Sequence, residues 1–251
     1  MEILPFKYQA TLFCNNSDIR PDAKLVQSLF NGLLQWEIFP NVTKELTVTM
    51  NGLNATKPEQ IDRLQFISSD KFRRINFLGN RIDFELFIPT RDQVIRVEDF
   101  VETTKQQFSI ISEILEKKYN RLSLVSLYYS PNKSTDFFDK IYSSVFNNPI
   151  HIGENKSTPT EWNTRSNYSG IFQVGPLQER MNYNITFGRK IQQNNGYLSN
   201  EDRLEVMFDL NTHQNNTAYR FSKKDVLSFF TDIVIKQKEI TDLTLNAFQP
   251  V

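Results

Sequence analysis

Two stretches of the chain alternate strictly between apolar and polar or intervening positions. Ile82, Phe84, Leu86 and Ile88 share one parity, with Asp83 and Glu85 between the first three; Leu204, Val206, Phe208 and Leu210 repeat the pattern. Successive side chains of a strand point to opposite faces, so these runs read as strands with one face on a core and the other toward water. Two further stretches carry the helical period. Val97, Val101, Phe108, Ile111, Leu115 and Tyr119 make one stripe, and Val226, Phe229, Phe230, Ile233, Val234 and Ile240 another. A chain bound by both periods cannot be all-helical or a pure sandwich. The expected class is α+β, with antiparallel sheets packed by helices.

The rest of the chain fills this frame. A first strand is expected over 6–14, then a helix opened by Asp22 and ended at Phe39-Pro40-Asn41. A short strand at 46–50 precedes a polar loop at 51–60, and a meander occupies 63–88. The long helix is expected over about 97–119, with acid at Glu98 and Asp99 and base at Lys117 and Lys118, the signs its dipole favours. Arg121 to Tyr129 is apolar on both faces and reads as a central strand. A short helix near 135–146 leads into the loop-like stretch 147–166. Strands near 167–175, 181–191 and 203–212 follow, with Asn194-Asn195-Gly196 as a turn. Ser222, with Asp225 three residues on, caps the last helix. Both halves place strands before a helix, so the chain divides into units 1–130 and 131–251, stacked on one another, or forms one continuous domain.

Composition excludes several function classes. Lys+Arg and Asp+Glu are equal at 29 each, which speaks against a generic nucleic-acid coat. No apolar run approaches a membrane span and no basic-then-apolar start is present, so a cytoplasmic protein without membrane contact is expected. Cys14 is the only cysteine, which rules out an internal disulfide and fits a reducing compartment. Eight Asn-x-Ser/Thr triplets occur, but in a chain rich in these residues they arise by chance. With only His151 and His213 beside Cys14, a zinc site of the usual Cys/His type is excluded. The eight glycines are scattered and build no phosphate-binding loop. No cofactor is expected.

Three constellations remain. Asp83 with Glu85, and Glu205 with Asp209, sit two and four apart on strands and share a face, where they could hold a metal or do acid–base work. The simpler reading is the wet face of an amphipathic strand. Cys14 reads as a small core residue, and His151 and His213 fall in polar loops with no nucleophile elbow to serve. The basic residues Lys71, Arg73, Arg74, Arg121 and Arg189, interleaved with Tyr128, would suit phosphates and stacked bases if they met on one sheet face.

The order of elements, with Leu64-Gln-Phe66, Ser68-Ser69-Asp70, Ile75-x-Phe77-Leu78-Gly79, Tyr119-Asn120-Arg121-Leu122 and Leu204-x-Val206-x-Phe208-Asp209-Leu210, resembles a family of sporadically distributed bacterial and archaeal proteins of about this length with no assigned activity. Val125 to Tyr129 stands where that family carries arginine-tyrosine-isoleucine-asparagine. Its patchy distribution implies a place in phage-defence or mobile-element neighbourhoods. No catalytic residue comes with the resemblance. The expected function is a non-enzymatic binding or accessory subunit acting through a protein partner, either another subunit or a second copy. The alternatives are a nucleic-acid-binding sheet face and a metal-dependent hydrolase.

Overall fold

A computed structural model describes residues 2–47, 50–51, 54–55, 58–89, 93–130, 134–146, 159–191 and 202–247. Nine strands form one antiparallel sheet in the order β2-β5-β6-β7-β1-β8-β11-β10-β9. They are β1 (Leu4–Phe13), β2 (Ile38–Thr47), β5 (Glu59–Ser68), β6 (Arg73–Leu78), β7 (Arg81–Phe87), β8 (Arg121–Tyr129), β9 (Trp162–Val174), β10 (Leu177–Ile191) and β11 (Asp202–Thr212). β3 (Met50–Asn51) and β4 (Asn54–Ala55) make a separate two-stranded ribbon. The helices are α1 (Ala23–Leu33), α2 (Val97–Leu115), α3 (Thr135–Val145) and α4 (Lys223–Ala247). The chain is therefore α+β, with a sheet covered by helices.

The halves 1–130 and 131–251 meet between β8 and β11, with Glu205 opposite Tyr129 and Asn211 opposite Ser123. β1 pairs with β8 from Leu4 opposite Tyr129 to Phe13 opposite Arg121. On one side β7, β6, β5 and β2 follow outward; on the other, β11, β10 and β9. The repeated order of strands and helices thus lies edge to edge in a single sheet. Arg121 to Tyr129, apolar on both faces in sequence, is indeed central.

Alternation decides which face is covered. Tyr8, Ala10 and Leu12 of β1, Ile82, Phe84 and Leu86 of β7, and Leu210 of β11 point into a core shared with Phe108, Phe229, Phe230 and Ile233 of the helices. Phe208, Val206 and Leu204, on the same parity of β11 as Leu210, pack with Phe138, Ile141 and Tyr142 of α3, and with Trp162 and Phe187. Ile240 of α4 touches both clusters. All four helices therefore lie on one face, and no described helix covers the other. Burial of a phenylalanine such as Phe229 contributes roughly 2–3 kcal/mol against leaving it in water.

Local chemistry sets the helix ends. The Asp22 carboxylate accepts from the backbone N–H of Lys24 and Leu25, the N-cap its sequence position predicts. α2 stops at Leu115, short of Tyr119, because Glu116 turns left-handed (φ 47°). Lys117 then reaches out to Asp18 at 2.7 Å, and Tyr119 forms a bridge to Phe221. The lysines meant for the helix terminus lie beyond it. β2 begins at Ile38, through the Phe39-Pro40 break expected from sequence. β9 begins at Trp162, inside the stretch read as a loop.

Candidate binding surfaces

The helix-free face carries a polar lattice built by cross-strand register. In its first half most of the charges are paired. Lys7 donates to Glu85 at 2.5 Å, Arg81 to Asp83 at 2.9 Å and Arg63 to Glu45 at 2.6 Å. Thr11 donates to the other Asp83 oxygen at 2.7 Å. Asn41, Gln65 and Asn76 continue the chain of bonds to Glu85. In the second half Arg203 pairs with Glu205, but three other arginines meet neutral groups. Arg121 donates to the Asn211 amide oxygen at 3.0 Å, Arg165 to that of Asn184 at 3.1 Å and Arg180 to Ser169 at 3.5 Å. Asp209 accepts from Ser123 and Asn211. Among the described residues, none of these three arginines has an ion-pair partner. The Arg121 Nε is buried with no hydrogen-bond partner, and burial lowers the pKa of its guanidinium from the ordinary value against the pull of Asp209.

The six basic and aromatic residues singled out in the sequence do not share a face. Arg74 and Arg121 lie on the helix-free side; Arg74 stacks on Phe87, with its guanidinium carbon 5.3 Å from the ring centre, and Arg121 on Phe13 at 4.8 Å. Lys71 occupies the left-handed position of the β5–β6 turn (φ 66°), and Arg73 is exposed on the parity of Ile75, the helix side. Tyr128 is covered by α4. Its hydroxyl accepts from Gln237 at 3.2 Å, and its ring meets Tyr8 and Phe208. Arg189 also faces the helices, paired with Asp202 and stacked on Phe138. A strand carries alternate residues to opposite faces, which is why neighbours in sequence part here.

The carboxylates are likewise engaged. Asp83 is only 3% exposed although no helix covers it, because Thr11 and Arg81 close over it; the wet face expected from alternation holds for parity but not for exposure. Glu205 accepts from Arg203 and pairs with Lys190 at 2.8 Å. Glu205 and Asp209 stand roughly 13 Å apart along their strand, too far to converge on one ion. No group of three or more His, Cys, Asp or Glu that could hold a metal occurs among the described residues. Cys14 is buried, with its thiol donating to Asn16, and burial pushes that thiol up to about 12. The half-buried His213 accepts at Nδ1 from the backbone of Asn215. His151 and the Asn194-Asn195-Gly196 turn lie outside the described residues.

Sequence reasoning missed the outer edge of β9. Among the described residues this strand pairs with β10 on one side only. Its helix-side residues Thr164, Ser166 and Tyr168, with Tyr183 and Ile185 of β10 and Ile240 and Leu243 of α4, line a groove of about 480 Å³. Tyr168 is 58% exposed, Leu243 63%, and Ile171 on the opposite side of the strand 71%. The signal was present in sequence: thirteen strand residues with no lysine or proline and one charge. Only the strand order reveals that they form an edge.

No protein-family model matches the chain, and no curated protein matches it. No described helix is long and apolar enough to cross a membrane.

Proposed function

We propose that the protein is a non-enzymatic binding module that works through a protein partner docked along β9. The observation that carries this reading is a thirteen-residue edge that no other described strand covers, flanked by an apolar groove. Natural sheet edges are blunted by proline, lysine or short length, and a bare edge offers a row of backbone donors and acceptors to another chain. Apolar side chains exposed beside it supply the burial that such docking needs. The two half-chains are read as two strands-then-helix units joined through β8 and β11, a rigid scaffold for that edge. The family resemblance adds an accessory role in bacterial defence or mobile elements, and the lone Cys14 suits a cytoplasmic setting.

The test is purification from the native host with wild-type protein and with Tyr168→Asp and Leu243→Asp variants, read by mass spectrometry. Both side chains are more than half exposed, so the variants are expected to fold, which circular dichroism checks. A stoichiometric partner lost in both supports the reading. A partner retained in both places the interface elsewhere.

One observation favours nucleic acid as a second reading: Arg121, Arg165 and Arg180 on the helix-free face lack carboxylate partners among the described residues. On that reading binding of single-stranded DNA or RNA falls steeply with salt, and Arg121→Gln with Arg180→Gln lowers the salt slope by about two. Absence of binding at low salt ends it.

A further inference from the structure

The two outer strands of the sheet differ. β2 carries Pro40, Lys44 and Glu45. It also exposes Val42 and Leu46, yet the missing proline donor and the charges break up an incoming ladder. β9 has neither proline nor lysine, and its one charge is Arg165.

We infer that the chain docked on β9 is a second copy of this protein, with the two β9 strands antiparallel about a two-fold axis at Tyr168; this rests on the partner-binding reading above. The argument is self-complementarity. Tyr168 is the midpoint of Trp162–Val174, so full overlap places it opposite itself and exchanges about a dozen backbone hydrogen bonds. In that register Arg165 stands opposite Ile171, Asn167 opposite Ser169, and Ser166 opposite Gly170. The single positive charge never meets its own copy. The aliphatic stem of each Arg165 instead lies along the exposed Ile171 of the other chain. An axis normal to the sheet keeps helix face with helix face, so the two apolar grooves become continuous across Tyr168. The interface closes on itself, and the edges left outermost are the two proline-bearing β2 strands, so assembly stops at two chains.

Sedimentation of the full chain over a concentration series tests this through its register. Wild type is expected to be dimeric. Ile171→Lys sets an ammonium opposite Arg165 twice per dimer and weakens association about tenfold. Ile171→Glu holds or tightens the dimer, and Arg165→Glu combined with Ile171→Lys restores it. Ile171 lies outside the core, and circular dichroism confirms that each variant is folded.

A monomer at every concentration overturns the inference. So does a dimer weakened equally by Lys and Glu, which is an apolar contact without this register, and so does a dimer that none of the variants changes. A photo-crosslinker in place of Tyr168 separates the two proposals. Capture of one identified other protein by a monomeric chain removes self-pairing and leaves partner binding at β9 standing. A monomer with no crosslink at that position removes both.

Discussion

Burial pushes the Glu205 carboxyl up, but hydrogen bonds from Lys190 and Arg203, together with their charges, outweigh it and hold the group below the usual carboxylate range. A carboxyl depressed in the fold contributes stability that is present above its unfolded pKa of 4.5 and is lost as pH falls through the lower folded value. Glu205→Gln also leaves the buried Arg203 without its counter-charge. It is expected to cost about 3 kcal/mol at pH 7, and the gap to wild type narrows below pH 4.5, as measured by urea midpoints. Cys14 has the opposite sign. Its thiol is raised from 9.0 to about 12, so its contribution is complete below pH 9 and declines as pH rises toward 12. At pH 8 the folded protein should resist an aromatic disulfide reagent that labels it promptly in denaturant. Gly188 is a position of close approach: an added Cβ would lie 2.5 Å from the Trp162 carbonyl oxygen. Gly188→Ala must therefore displace backbone and is expected to cost about 1–3 kcal/mol, read by denaturant titration. The burial of Cys14 was legible in sequence; the constraints at Glu205 and Gly188 were not, since strand pairing brings Lys190 and Trp162 to them.

At the scale of elements, the start of α4 shows local chemistry deciding structure. Ser222 donates from its backbone N–H and hydroxyl to Asp225 at 2.9 and 2.7 Å, and its hydroxyl oxygen accepts from the Asp225 N–H at 3.4 Å. This is the reciprocal cap that the Ser222-x-x-Asp225 spacing announces. Ser222→Ala should lower stability by about 1 kcal/mol, with the loss visible in the thermal midpoint. Of the expected stripe, Val226, Phe229, Phe230 and Ile233 are fully buried, Val234 nearly so and Ile240 half-buried, and β7, β8 and β11 fall within a residue or two of the sequence reading. Elements whose limits depend on distant partners were less legible. α2 ends early because Tyr119 is drawn into a bridge with Phe221, about a hundred residues away in sequence. β9 extends back to Trp162 because β10 is long enough to pair with it.

At the scale of the molecule, the chain has two tryptophans, Trp36 beside α1 and Trp162 on β9, one in each half. They can report whether the β8–β11 pairing makes the halves unfold together. With Trp162→Phe leaving Trp36 and Trp36→Phe leaving Trp162, fluorescence midpoints in urea are each expected to coincide with the circular dichroism midpoint of the same variant. Separate midpoints would mean that units 1–130 and 131–251 behave as independent domains.

The sequence by itself determined the kind of the strongly periodic elements, β7, β8, β11, α2 and α4, and which of their residues face the core. A period of two or 3.6 is a local property, and burial of an apolar stripe enforces it wherever the element lies. It also excluded disulfides, zinc of the Cys/His type and phosphate loops, because the residues they need are missing. Only the tertiary structure decided that both halves share one sheet, that all described helices cover one face, that Tyr128 and Arg189 part from Arg74 and Arg121, and that β9 is the bare edge. These follow from strand order and register. Pairings between residues far apart in the chain are selected by the packing of the whole, and no local pattern encodes them.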